Sequence, residues 1–304
     1  MKIGLIDVDG KKFPNLALMK ISKHYKIWGH NVELYDGLSH YDKVYMSKIF
    51  SFTPDENRVI QADEVIKGGT GYDVKSSLPH YIDLLSPDYS IYPNHKFSLQ
   101  LFSRGCVRKC PFCVVSEKEG KLHHVEPMKL NPNGKYIEVL DNNFFANPLW
   151  RDAIVCLNET KQKVNLHGVD VRIMNEEQAT ALNSMKLSGS SIHIAWDNPK
   201  DNILPQLKEM LKTVKKYKIA CYVLIGYWST IGEDYYRVME LANLGIDPFV
   251  MPYRGLDNMR QPSQYEKDFA GWVNKKERFK AFDFKDFSPR RGFKCDYYFK
   301  NETI

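Results

Sequence analysis

Apolar residues in the first part of the chain change rhythm between two periods. Lys2 to Asp9 carries Ile3, Leu5, Ile6 and Val8 as a strand does, ending in acidic residues. Pro14 to Trp28 then sets Leu16, Leu18, Met19, Ile21 and Tyr25 at helical spacing, and Gly29 stands where a helix stop belongs. Asn31 to Asp36 alternates again, Lys43 to Phe50 follows as a third strand, and Glu64 to Ile66 is a short fourth. Strand, helix and strand at this spacing predict a parallel, Rossmann-like sheet. The turn Gly68-Gly69-Thr70-Gly71 that follows would let backbone N–H groups approach a phosphate, although it lacks a full dinucleotide fingerprint.

Pro87, Pro93 and the polar residues between them read as a linker. Beyond it, strands are predicted at Phe97 to Phe102, Tyr136 to Leu140, Val164 to Val171, Ser191 to Ala195, Ile219 to Ile225 and Pro248 to Pro252. Helices are predicted at Pro148 to Asn158, Glu176 to Met185, Ile203 to Tyr217, Glu233 to Leu244 and Gln264 to Val273. Alternation of this kind builds a parallel barrel with its site at the C-terminal strand ends. The expected organisation is α/β throughout: a Rossmann-like domain over 1–92, a barrel over 93–274 and a C-terminal segment over 275–304.

Composition narrows the classes. A chain of 304 residues, 43% hydrophobic and 26% charged, has enough material for one large or two modest cores. It shows no apolar run of membrane-spanning length and no signal-peptide pattern, so a cytoplasmic protein without a membrane partner is expected. The net charge of +6 allows an anionic partner such as nucleic acid without requiring one. Much of the excess lies between Lys275 and Lys300, where Arg278, Lys280, Arg290, Arg291 and Lys294 interleave with phenylalanines and tyrosines. Cations beside rings suit a single-stranded nucleic acid. The plainer reading, and the favoured one, packs the rings onto the barrel and leaves the charges in water.

Of the six cysteines, Cys106, Cys110 and Cys113 stand in a C-x3-C-x2-C cluster, and the rest are scattered. That is no disulfide framework. Cysteine thiolates are the usual ligands of iron–sulfur clusters, and a cubane ordinarily takes four. Three close thiolates with no fourth in the loop would leave one iron open to a small molecule. A Cys3His zinc site using His123 or His124 is the rival, disfavoured because three ligands in so short a run crowd one side of the metal.

The spacing, with Phe112 directly before the last cysteine, resembles the cluster loop of the radical S-adenosylmethionine (radical SAM) enzymes. The resemblance implies a [4Fe-4S] cluster, S-adenosylmethionine (SAM), a partial (β/α)6 barrel and a reductant such as flavodoxin or ferredoxin. It leaves the substrate unknown. The basic tail makes a nucleotide or nucleic-acid base the preferred substrate and a peptide the second. The phrase from Pro14 to Tyr35 is similar to the cobalamin-binding domain that precedes many such barrels. No histidine stands in the Asp7-Val8-Asp9-Gly10 register where one class of those domains supplies a cobalt ligand, so the domain resembles a vestigial form and cobalamin is not favoured. The rival from another class is a nucleic-acid-binding protein, stabilised by zinc or a cluster, without turnover.

Strand ends supply the remaining candidates. Arg104, Arg108 and Lys109 would offset thiolate charge. By the resemblance, Asp141-Asn142-Asn143 meets the SAM amino group, whose donors need acceptors; an Asx turn explains the same residues. If the third strand runs through Val171, Asp170 and Arg172 share one face, and Arg172 becomes a fork for a carboxylate. Asp197 would accept from ribose hydroxyls or cap a helix, and Gly226 would admit backbone close to the nucleoside. Tyr253 and Arg254 lie where the family places adenine. Cys156 and Cys221 read as core residues. Cys295, with Arg290, Arg291 and Lys294 near it in sequence, would have a lowered pKa if they are near it in space. It is the candidate catalytic thiol, with a bystander as the plainer alternative.

Overall fold

The computed structural model describes residues 1–10, 12–255 and 260–300, which fall into two compact units, Met1–Glu138 and Val139–Ile304. The first unit opens with β1 (Lys2–Asp7), α1 (Leu16–Ile27), β2 (Asn31–Leu34), β3 (Tyr41–Ser47) and β4 (Ala62–Gly68). These strands form a parallel sheet in the order β2-β1-β3-β4. Helix α1 is the crossover between β1 and β2. Asn15 fixes its start: its Oδ1 accepts from the Leu18 amide at 3.2 Å, and its Nδ2 donates to Ser47 Oγ at 2.9 Å. Ile6, Tyr41, Val44 and Met46 close a small core against this sheet.

The glycine turn after β4 has a packing reason. Gly69 has φ +97°, and a β-carbon there would stand 2.3 Å from the Lys48 carbonyl oxygen, so only glycine lets the two backbones approach. Further along come α2 (His80–Asp83), β5 (Phe97–Gln100), β6 (Ser103–Arg104), α3 (Val115–Lys118), β7 (His123–His124) and β8 (Tyr136–Val139). The expected linker contains a short 3-10 turn at Tyr89–Ile91, and Tyr92 donates from its hydroxyl to Asp7 at 2.7 Å.

The second unit continues with α4 (Trp150–Glu159), β9 (Lys163–Val169), α5 (Glu176–Ser184), β10 (Leu187–Ala195), α6 (Leu204–Leu211), β11 (Ile219–Ile225), α7 (Ile231–Asn243) and β12 (Asp247–Pro252). The second sheet has six strands in the order β12-β11-β10-β9-β8-β5, and β9 through β12 pair in parallel. The architecture is thus α/β with two sheets containing parallel strands. Val164, Leu166, Ile192, Ile194, Cys221, Val223 and Val250 are buried along one face. The alternate positions carry a ladder of rings: His167 to His193 at 4.5 Å, His193 to Tyr222 at 5.4 Å and Tyr222 to Phe249 at 5.7 Å between centroids.

Several boundaries depart from expectation: β3 ends at Ser47, β4 is longer at both ends, α6 ends at Leu211, and two more concern β9 and β10. Strand β10 starts at Leu187, before the predicted Ser191, because the register shifts between Leu187 and Ile192 around Ser190 at φ +49°. Strand β9 stops at Val169; Val171–Ile173 is a 3-10 turn capped by the Asp170 side chain. The C-terminal segment, whose residues 301–304 lie outside those described, follows α8 (Gln264–Val273) with α9 (Lys276–Ala281) and α10 (Asp296–Lys300). Phe284 is fully buried among Phe269, Trp272 and Tyr265, and Arg290 pairs with Asp268 at 2.7 Å while lying over the Phe293 ring. The favoured reading of the tail, rings packed inward, is what these contacts express. Among the described residues no helix is long and apolar enough to cross a membrane.

Candidate functional site

The cysteine excursion belongs to the first unit and is fastened at its base. Strands β6 and β7 pair antiparallel, Ser103 opposite His124 and Arg104 opposite His123. Gly105 takes φ +76° just inside them, where a β-carbon would stand 2.4 Å from the Lys121 carbonyl oxygen. Its amide donates to Glu119 Oε2 at 2.8 Å, tying the two ends of the loop together. Within the loop, Cys106, Cys110, Phe112 and Cys113 are half-buried. The Arg108 amide donates to Cys106 Sγ at 3.3 Å, and the Cys113 amide to the Cys110 carbonyl at 3.0 Å. Amide donors to sulfur stabilise a thiolate, as metal ligation requires.

Thiolates are the donor type that an iron–sulfur cluster takes. Among the described residues, however, no three of His, Cys, Asp or Glu are gathered as a metal site in this conformation. Of the rival zinc ligands, His123 donates from Nδ1 to the Lys121 carbonyl at 3.0 Å, the tautomer in which Nε2 is the nitrogen offered to a metal, and His124 Nε2 lies 3.6 Å from Glu126.

In the second unit the ends of successive strands are linked by a polar chain. Asn143 Nδ2 donates to Asp170 Oδ2 at 3.3 Å. Arg172 donates from Nε to Asp170 Oδ1 at 2.7 Å and from a terminal nitrogen to Asp201 Oδ2 at 2.8 Å. Asn198 Nδ2 donates to the other Asp201 oxygen at 3.1 Å. Asn143, Asp170 and Arg172, singled out separately in the sequence, are thus brought together. The expected strand alternation of Asp170 and Arg172 does not hold, since the strand has already ended. Arg172 spends its fork on two carboxylates of the chain, and so acts as a brace between strand ends. Asp141 and Asn143 are buried and Asn142 half-buried.

Asp197 stands beyond β10. Burial pushes its carboxyl up to about 6, against the pull of the Leu224 amide and of Arg237 and Arg172. Arg237 is fully buried: it donates to the Trp196 carbonyl at 2.7 Å and to the Leu224 carbonyl at 3.0 Å, and pairs with Asp234 at 2.6 Å. A buried guanidinium with every direction used is a structural strut.

Gly226 and Tyr253 are also brought near one another. The Tyr253 amide donates to the Ile225 carbonyl at 2.9 Å, and the Tyr227 and Tyr253 rings meet edge-on at 4.7 Å. Gly226 takes φ +78°, and a β-carbon there would stand 2.5 Å from the Glu266 carboxylate. That carboxylate is held by Arg260, at 2.9 Å for one of the two bonds. Gly226 therefore admits Glu266, a residue the sequence reading passed over. Ser263 and Glu266 have the spacing of a capping box, and the Ser263 cap is present; the side chain of Glu266 turns to Arg260 instead. Asp201 carried no local signal, because its partner Arg172 is distant in sequence; Asp234 and Arg237 are an i,i+3 pair on α7 whose burial only the packing reveals.

Cys295 corrects the expectation of a lowered thiol pKa. It is fully buried, and burial together with Asp268 pushes its thiol up to about 12, with Arg290 opposing weakly. The environment makes a protonated core thiol and not a nucleophilic thiolate. Burial raises the thiols of Cys156 and Cys221 likewise; Cys221 is a core residue as expected, whereas Cys156 is only half-buried. No family model matches the chain, and no curated protein matches it in sequence.

Proposed function

We propose that this chain is a radical SAM enzyme whose Cys106, Cys110 and Cys113 hold a [4Fe-4S] cluster. The observation that carries the reading is the cysteine loop itself: three half-buried thiols at C-x3-C-x2-C spacing, on an excursion closed at its base by Gly105, Glu119 and the β6–β7 ladder. When bound, the cluster supplies the electron that cleaves SAM to a hydrogen-abstracting 5′-deoxyadenosyl radical.

The chain's own residues position and enclose. Cys106, Cys110 and Cys113 would hold the cluster, and gathering their sulfurs would be a local folding step of the kind metal sites commonly couple to. Asp141, Asn142 and Asn143 offer acceptors to the ammonium of SAM, and Arg172 keeps Asp170 and Asp201 in register behind them. Asp197, largely ionised near neutral pH, accepts from ribose hydroxyls, and Tyr227 and Tyr253 form a ring pair beside Gly226 for a nucleobase. In this reading the strand–helix units of the second sheet form a partial barrel, a flavodoxin or ferredoxin delivers the electron, and the protein works in the cytoplasm. A nucleotide or nucleic-acid base is the preferred substrate, with a peptide second.

Anaerobic reconstitution with iron and sulfide, then dithionite and SAM, tests the proposal. A brown protein that releases 5′-deoxyadenosine supports it. A colourless protein that takes zinc and releases none overturns it in favour of a metal-stabilised binding protein without turnover.

A further inference from the structure

The first unit contains a cavity of about 640 Å³ that the strand-end chemistry does not use. It is bounded by the length of α1, the C-terminal ends of β3 and β4, the segment around α2 and the base of the cysteine excursion. Ligands of open parallel sheets bind outside the carboxyl ends of the strands, and a space of this size suits a small molecule.

One part of its wall is cationic. The ammonium of Lys20, a residue 4% exposed, donates to Asp83 Oδ1 at 2.8 Å. Arg104 donates to both oxygens of the same carboxylate, at 2.7 and 3.3 Å. A single carboxylate is thereby divided between two cations. Lys118 adds a third cation, whose ammonium donates to the neutral Ser76 carbonyl. The other wall carboxylate, Glu119, is engaged by the Gly105 amide. Burial is the chief cause lowering the pKa of both Lys20 and Lys118, against the opposing pull of Asp83 on Lys20 and of Asp73 and Glu119 on Lys118. The cations that line the cavity, Lys67 among them, still outnumber its carboxylates, and an incoming anion redresses that excess.

The other part is aromatic. One helical turn along α1 from Lys20, His24 packs against Tyr25 at 5.1 Å and against Tyr81 at 5.3 Å between centroids. Tyr25 meets Tyr45 at 5.7 Å, and their hydroxyls hydrogen-bond at 2.6 Å. Tyr81 is 63% exposed, with ring surface left to cover. Rings one turn, roughly 5 Å, from a group of cations suit a molecule that joins a flat ring to an anionic group.

We propose that this cavity binds a nucleoside phosphate, its phosphate against Lys20, Arg104 and Lys118 and its base against His24 and Tyr81. The inference does not depend on the cysteine loop holding a cluster. The test is calorimetric titration of the iron-free full chain with AMP, and separately with adenosine and with inorganic phosphate. AMP is expected to bind with each half-molecule at least about tenfold weaker. Lys118→Met should weaken AMP by about tenfold or more, and Tyr81→Ala by several-fold, with circular dichroism confirming that both fold. No AMP binding up to millimolar concentration overturns the proposal, as does affinity unchanged in both variants. Phosphate binding as tightly as AMP overturns the base-binding half and leaves an anion site.

Discussion

Gly168 lies so close to Asp141 that a β-carbon on Gly168 would stand 2.0 Å from the Asp141 carbonyl oxygen. The glycine also takes φ +71°, so the end of β9 and the turn after β8 meet backbone to backbone. Gly168→Ala should therefore cost about 2 kcal/mol or more, lowering the thermal midpoint by several degrees. Gly189→Ala is the control, since nothing lies within 4 Å of its added carbon. Equal melting temperatures for the two variants would contradict the contact.

Asp197 makes stability depend on pH in a stated direction. Its carboxyl, near 3.8 when unfolded, sits at about 6 in the fold, so the folded state binds the proton more tightly. That contribution is present below about pH 4, is lost as pH rises towards about 6, and then levels off. Asp197→Asn removes it. Urea unfolding at pH 4.5 and pH 7 should show the wild type losing ground to the variant at the higher pH, by about 2 kcal/mol. A difference between the two proteins that does not change with pH would refute the shift.

Loss of one loop thiol should separate chemistry from folding. Cys110 is half-buried in an excursion, so Cys110→Ala should change stability by roughly 0.5 kcal/mol or less. Under the proposed function the same variant should reconstitute to background iron and release no 5′-deoxyadenosine. Cleavage that persists in the variant would remove these cysteines from the reaction.

Cys295 should be inert. A buried thiol held near pKa 12 has almost no thiolate at neutral pH. Iodoacetamide at pH 8 should label Cys295 far more slowly than the loop cysteines, and denaturant should erase the difference. Mass spectrometry of the native protein showing Cys295 modified as fast as Cys110 would count against its burial.

The sequence made the order of elements readable because hydrophobic period and turn residues act locally. The Pro14–Trp28 helix, the Ile219–Ile225 strand and the Gln264–Val273 helix lie at or within two residues of their predicted ends. What was hidden is non-local. Ser188-Gly189-Ser190 reads as a loop, yet β10 runs through it with a bulge, since pairing with β9 decides the matter. Arg172 could be suspected of binding a carboxylate, but not that Asp201 would supply one. Glu266 went unnoticed in the sequence and proves to be the partner of Arg260, with Gly226 shaped around it. The basic residues around Cys295 offered a reactive thiol beside the plainer reading of a bystander; Arg290 does act on the thiol, but burial and Asp268 outweigh it.

The hydrogen bond between Gly105 and Glu119 has an entropic consequence. A chain that must bring three separated sulfurs onto one inorganic core gives up conformational freedom in doing so, and closing the loop is one part of that loss. Here closure is already complete when the protein folds: the β6–β7 ladder and Glu119 hold the two ends before any metal arrives. Under the proposed function, residues 106–118 then search a confined volume, and cluster assembly would be a rearrangement inside a tethered ring. Cutting that tether with Glu119→Ala would leave every thiol in place and still slow the capture of iron.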